Sequence, residues 1–114
     1  MKKSVAKDWV AALRSGKYKQ GKPGQLKDSE GNYCCLGVLC EISGLEYQGS
    51  NGTLPYSVQI FSGLKSSNGR FDYSLNLADL NDNHFNGFYC PVTIKERYTF
   101  EEIADIIEVE YKNL

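Results

Sequence analysis

The sequence predicts an α+β fold: one small domain with N- and C-terminal helices, a buried central helix, and short antiparallel strands or hairpins. Three observations carry that expectation. Apolar residues recur at three- and four-residue spacing near both ends of the chain. The most apolar run, Tyr33 to Gly44, is too long for a typical strand and stops at a glycine. Stretches rich in glycine, proline and asparagine, with traces of alternation, fill the intervals. At 114 residues without a repeat or a linker, the chain reads as a single domain over residues 1–114.

The elements follow in order. Val5, Trp9, Val10 and Leu13, with Ala6, Ala11 and Ala12 between them, predict an amphipathic helix from about Ser4 to Arg14, stopped by Gly16. Gly16 to Lys27 holds three further helix breakers, Gly21, Pro23 and Gly24. Alternation around Tyr18 and Leu26 suggests short strands or an ordered loop. Asp28-Ser29-Glu30-Gly31-Asn32 is a turn sequence, which makes a hairpin over Gly24–Tyr33 plausible. The central helix is expected over Cys34–Ser43. Gly37 in its interior costs about 1 kcal/mol against alanine, so a close packing contact is expected there. Glu46-Tyr47 reads as a short strand, Tyr56–Phe61 as a helix opened by Pro55, and Ser66-Ser67-Asn68-Gly69 as a hairpin turn. Leu75 to Leu80 begins a helical turn that breaks at Asn81-Asp82-Asn83. Thr99-Phe100-Glu101-Glu102 is a capping box for a last helix from about Phe100 to Tyr111.

Charge is nearly balanced, at −1 overall, so no global field draws the chain to nucleic acid. Its distribution is uneven. Met1 to Lys27 carries eight basic residues against Asp8, and Glu96 to Glu110 carries six acids against Arg97. Such asymmetry lets the two ends attract each other, within or between chains. Lys7 and Asp8 interrupt any apolar leader, and no stretch approaches the roughly 20 apolar residues of a membrane helix. The expectation is a cytoplasmic protein without a membrane partner, whose four cysteines are free thiols.

Four blocks together resemble a family of small proteins encoded by tailed bacteriophages and prophages. They are Trp9 to Gly21, Tyr33 to Glu41, Leu77-Ala78-Asp79-Leu80-Asn81-Asp82, and Thr99 to Glu108. The resemblance implies a phage origin, hence the cytoplasm of an infected bacterium, and a compact domain. It implies no reaction and no catalytic residues. Asn83 to Arg97 looks like a local insertion against that pattern, which argues against a family-wide role for His84.

Several constellations bear on chemistry. Cys34 or Cys35 at the start of the central helix could be a thiolate nucleophile, because the helix dipole favours a negative sulfur. The general base would have to be His84, the single histidine. Cys34, Cys35 and Cys40, even with Cys90 and His84, lack the paired Cys-x2–4-Cys spacing of a zinc site. Small apolar core residues are the simpler account of them. Asp79, Asn81, Asp82 and Asn83 do not match a calcium loop and read as helix-ending turn formers.

Lys17-Tyr18-Lys19-Gln20-Gly21-Lys22-Pro23-Gly24 interleaves basic, aromatic and glycine residues without the P-loop pattern. Lysines can neutralise phosphate, glycines admit close backbone approach, and a tyrosine can stack on a base. The ligand-binding set expected is Arg14, Lys17, Lys19 and Lys22 on phosphate and Tyr18 on a base. No cofactor and no metal are called for. The function expected is a non-enzymatic phage accessory protein that sequesters a nucleotide-derived host immune signal, as a homo-oligomer with ligand sites between protomers. The alternatives are an inhibitor that docks a host defence protein through Glu101, Glu102, Asp105 and Glu108, or a thiol enzyme using Cys34 or Cys35.

Overall fold

The computed structural model describes residues 1–82 and 97–114. Five helices lie among them: α1 (Lys3–Arg14), α2 (Cys35–Ser43), α3 (Tyr56–Ser62), α4 (Leu77–Asp82) and α5 (Phe100–Glu110). No helix of the described residues is long and apolar enough to cross a membrane.

Each helix begins and ends for a local reason. Gly44 and Gly63 take the left-handed conformation (φ 70° and 74°) that closes α2 and α3, a geometry a side chain would strain. Asn76 caps α4: its Oδ1 accepts from the Asp79 amide at 2.8 Å, and its Nδ2 donates to the Asp79 carboxylate at 2.9 Å. The capping box of α5 is complete, with Thr99 Oγ1 accepting from the Glu102 amide and Glu102 accepting from the Thr99 amide.

The helices share one core. Trp9, Leu36, Val38, Leu39, Leu77, Ile103, Ile107 and Leu114 are fully buried within it. α1 packs antiparallel along α5, since Met1 meets the carbonyls of Tyr111 and Leu114 while Arg14 meets Glu101, Asp105 and Glu108. α2 is buried all round from Cys35 to Cys40 and touches α1, α3 and α4. Trp9 ties α1 to its start, with Nε1 donating to the Cys35 carbonyl at 2.8 Å.

The α+β expectation is corrected here. The described residues form a mostly helical domain without a strand, and the expected antiparallel hairpins reduce to isolated bridging pairs. Over Gly24–Tyr33 a single antiparallel pair joins Lys27 to Tyr33, and the Asp28–Asn32 turn lies between them. The Asn68-Gly69 turn leads to one pair, Arg70 with Asn76, and its carbonyls then accept from the first turn of α4. Among the described residues Glu46-Tyr47 forms no strand pairing. The physical reason is where the backbone finds partners. The Leu26 and Lys27 amides donate to the carbonyls of Asn51 and Gly49, while the Gly21 amide donates to the Tyr33 carbonyl and the Tyr33 amide to that of Lys19. These segments satisfy one another one or two bonds at a time, and glycines and prolines prevent a longer ladder.

Candidate anion-binding face and its surroundings

The basic loop after α1 is firmly anchored. Ser15 Oγ donates to the Ala12 carbonyl at 2.6 Å and accepts from the Lys17 amide at 3.1 Å. Gln20 Nε2 donates to Asn81 Oδ1 at 3.0 Å and to the Tyr98 carbonyl at 2.8 Å. The Gly24 amide donates to Asp82 Oδ2 at 3.0 Å. Between those anchors Gly21 presses on the Asp28 turn, where a Cβ would meet Asp28 Oδ2 at 2.6 Å.

Asp28 organises that turn. One oxygen accepts from the amides of Glu30 (2.9 Å) and Asn32 (3.0 Å), and the other from the Lys22 amide (3.1 Å). The Asn32 bond foremost, helped by those from Lys22 and Glu30, holds the carboxyl below the ordinary aspartate range. A depressed folded pKa gives stability that is present in full above the unfolded value, about pH 4, and is lost as pH falls through the folded value. Asp28→Asn should therefore lower stability at neutral pH and flatten the acid limb of the stability–pH curve. Denaturant titrations between pH 2 and pH 7 read this directly. An unchanged acid limb would mean that the turn does not depend on the ionised carboxylate.

The anchored loop presents a basic and aromatic surface. Tyr18 and Tyr33 meet edge to face, with ring centroids 5.3 Å apart and planes at 87°. Lys17 Nζ stands 5.6 Å from the Tyr18 centroid, and Lys27 Nζ stands 5.3 Å from that of Tyr33. Lys17, Lys19, Lys22 and Lys27 are exposed, and both rings are half-buried. Of the ligand-binding set read from the sequence, Lys17, Tyr18, Lys19 and Lys22 thus lie on one loop. Tyr33 and Lys27 join them in space without having been singled out. The signal for both was the Asp28–Asn32 turn, which returns the chain so that Lys27 and Tyr33 stand opposite each other.

Arg14 is elsewhere engaged. Its Nη2 lies 2.6 Å from Asp105, its Nη1 2.9 Å from Glu108, and its Nε 3.9 Å from Glu101. Hydrogen bonds to Glu108 and then Asp105 push its pKa further up. The basic and acidic ends of the chain therefore attract each other within the molecule. A phosphate at Arg14 would have to displace two carboxylates. The same contacts occupy three of the four acids on the α5 face considered for a protein partner, and Glu102 is engaged in the helix cap.

The thiols at α2 are set against ionisation. Cys34 is the N-cap, and its Sγ accepts from the Gly37 amide at 3.3 Å. Burial outweighs that bond and pushes the thiol up to about 11. Burial raises Cys35 well above the usual thiol range and Cys40 to about 12. Iodoacetamide at pH 7.5 should leave Cys34, Cys35 and Cys40 unmodified in the native protein and label all three after denaturation, read by peptide mass mapping. Rapid native labelling of Cys34 would restore the nucleophile reading. His84, Cys90 and Asn83 lie outside the described residues. Among the described residues, no three His, Cys, Asp or Glu side chains converge as a metal site.

Residues 1–50, which span α1, the basic loop and α2, match the model of a family described as a domain of unknown function, DUF8296. No curated protein and no solved structure matches the chain.

Proposed function

We propose that the protein binds and sequesters a small anionic, nucleotide-type ligand, without turnover, on the face formed by Lys17, Tyr18, Lys19, Lys27 and Tyr33. The observation that carries this reading is the pair of touching tyrosine rings, each with a lysine ammonium over it. Such a face suits a planar base joined to phosphate. An exposed lysine on a ring is worth about 0.5–1 kcal/mol, whereas a base stacked on an aromatic ring is worth about 1–3 kcal/mol. The base therefore displaces a lysine from its ring, and the released ammonium is free to meet phosphate. Lys19 and Lys22 lie on the same loop and add positive charge. Arg14 is left out of the set because α5 holds it.

The setting that fits is a phage accessory protein in the cytoplasm of an infected bacterium, where it removes a nucleotide-derived immune signal as a homo-oligomer. The test is a thermal-shift screen against linear and cyclic nucleotides, including ADP-ribose derivatives. A ligand bound by the native state alone stabilises it by about 2.7 kcal/mol at a hundredfold excess over Kd. Intact ligand recovered after denaturation would show that nothing was turned over. Lys17→Glu combined with Lys27→Glu should abolish the shift in a protein that still unfolds cooperatively, while Arg14→Gln should retain it. No shift across the panel would overturn the reading and favour a protein partner instead.

A further inference from the structure

A groove runs along α1 on the side where it meets the end of α5, with a volume of about 390 Å³. Its floor is apolar, made by Ala6, Val10 and Ala11 of α1 and by Tyr111. One end is closed by Arg14 and Glu108; Arg14 is shared there with Glu101 and Asp105, so that end offers no available cation to an anionic head. At the other end stand Lys3 and Lys7, one helical turn apart, exposed, and without an ion pair among the described residues. The first turn of α1 holds no acid to pair with them.

Polarity selects the occupant. An apolar floor with two unpaired ammonium groups at one end suits a hydrocarbon chain that carries one anionic head. The volume also falls within the range of small-ligand sites, about 300–1,000 Å³.

We propose that this groove is a separate ligand site for a singly charged anionic amphiphile, a medium-chain fatty acid. Its hydrocarbon chain lies on Ala6, Val10, Ala11 and Tyr111, and its carboxylate meets Lys3 and Lys7. The site shares no residue with the basic tyrosine face, so each stands or falls alone.

The test is calorimetric titration of the whole protein with decanoate and with decyltrimethylammonium, a cation with the same chain. Wild type should bind one decanoate saturably and prefer it to the cation at least tenfold. Lys3→Glu with Lys7→Glu should reverse that preference. Ala11→Trp, a change at an exposed position that fills the groove, should abolish binding of both, with the circular dichroism spectrum unchanged. Absence of saturable binding to wild type, an unchanged preference after charge reversal, or full binding to Ala11→Trp would each overturn the proposal. So would a wild-type dimer, seen by sedimentation, that Ala11→Trp dissociates, because the groove would then be covered by a second copy of the chain.

Discussion

Gly37→Ala should lower stability by about 3 kcal/mol or more, at or beyond the usual range for overpacking, or prevent folding altogether. In a helix interior this exchange ordinarily gains about 1 kcal/mol, so the sign alone is diagnostic. A Cβ at Gly37 would stand 1.8 Å from the Leu26 carbonyl oxygen, 2.7 Å from its carbon and 3.2 Å from its Cα. These are backbone atoms, and no rotamer change relieves them. They are also fixed on their own account. The Leu26 carbonyl accepts from the Cys34 amide at 3.1 Å, and the Leu26 side chain is fully buried. The clash can be relieved only by lifting α2 off the chain that precedes the Asp28 turn. Urea unfolding should show a lower midpoint with an unchanged slope. A neutral or stabilising result would mean that α2 is not seated on Leu26. Because Lys27 follows Leu26 directly, a variant that does fold should also place Lys27 poorly over Tyr33 and bind ligand more weakly.

The helices were legible because their causes are local. Apolar spacing, the Thr99–Glu102 capping box, Gly44 and Gly63 all lie within a few residues of what they determine. Even the close approach at Gly37 followed from its poor fit to a helix interior. The strands were misread because alternation around Tyr18 and Leu26 has another cause. Leu26 points into the core while its backbone bonds to Asn51, some 25 residues on, and no local pattern carries that information. The candidate face was half legible. Lys17, Tyr18 and Lys19 are adjacent in sequence, whereas Lys27 and Tyr33 fell within the hairpin expected over Gly24–Tyr33. Arg14 was assigned to phosphate because it neighbours that loop. Only the antiparallel docking of α1 on α5 shows that Asp105 and Glu108 claim it, although the opposite charge of the two ends already pointed that way.

Asn81 was read as a turn former from its place in Asn81-Asp82-Asn83, yet it is fully buried and ties three parts of the chain together. Its Oδ1 accepts from Gln20 Nε2 at 3.0 Å and from the Cys35 amide at 3.1 Å, and its Nδ2 donates to Asp82 Oδ1 at 2.8 Å. Asn81→Leu keeps the branched outline of the side chain and removes all three bonds. Gln20 keeps the Tyr98 carbonyl, so the loss falls chiefly on the Cys35 amide, buried in the first turn of α2. An orphaned buried donor costs about 1–3 kcal/mol, and with the freed Asp82 carboxylate the variant should lose about 2–4 kcal/mol. Asn81→Asp separates the causes. It keeps the acceptor for Cys35 but sets a second carboxyl against Asp82, which disfavours ionisation and raises the folded pKa of the new group. Its deficit should be largest at neutral pH and shrink as pH falls through the carboxylate range, where the protonated group can donate as the amide does. Asn81→Leu adds no second carboxyl, so its deficit should vary less over the same range. Equal deficits for the two variants at low pH would mean that the Cys35 bond is dispensable and that packing alone holds α4 to α2. A smaller deficit for Asn81→Asp there would identify the bond to the Cys35 amide as a link between α4 and α2.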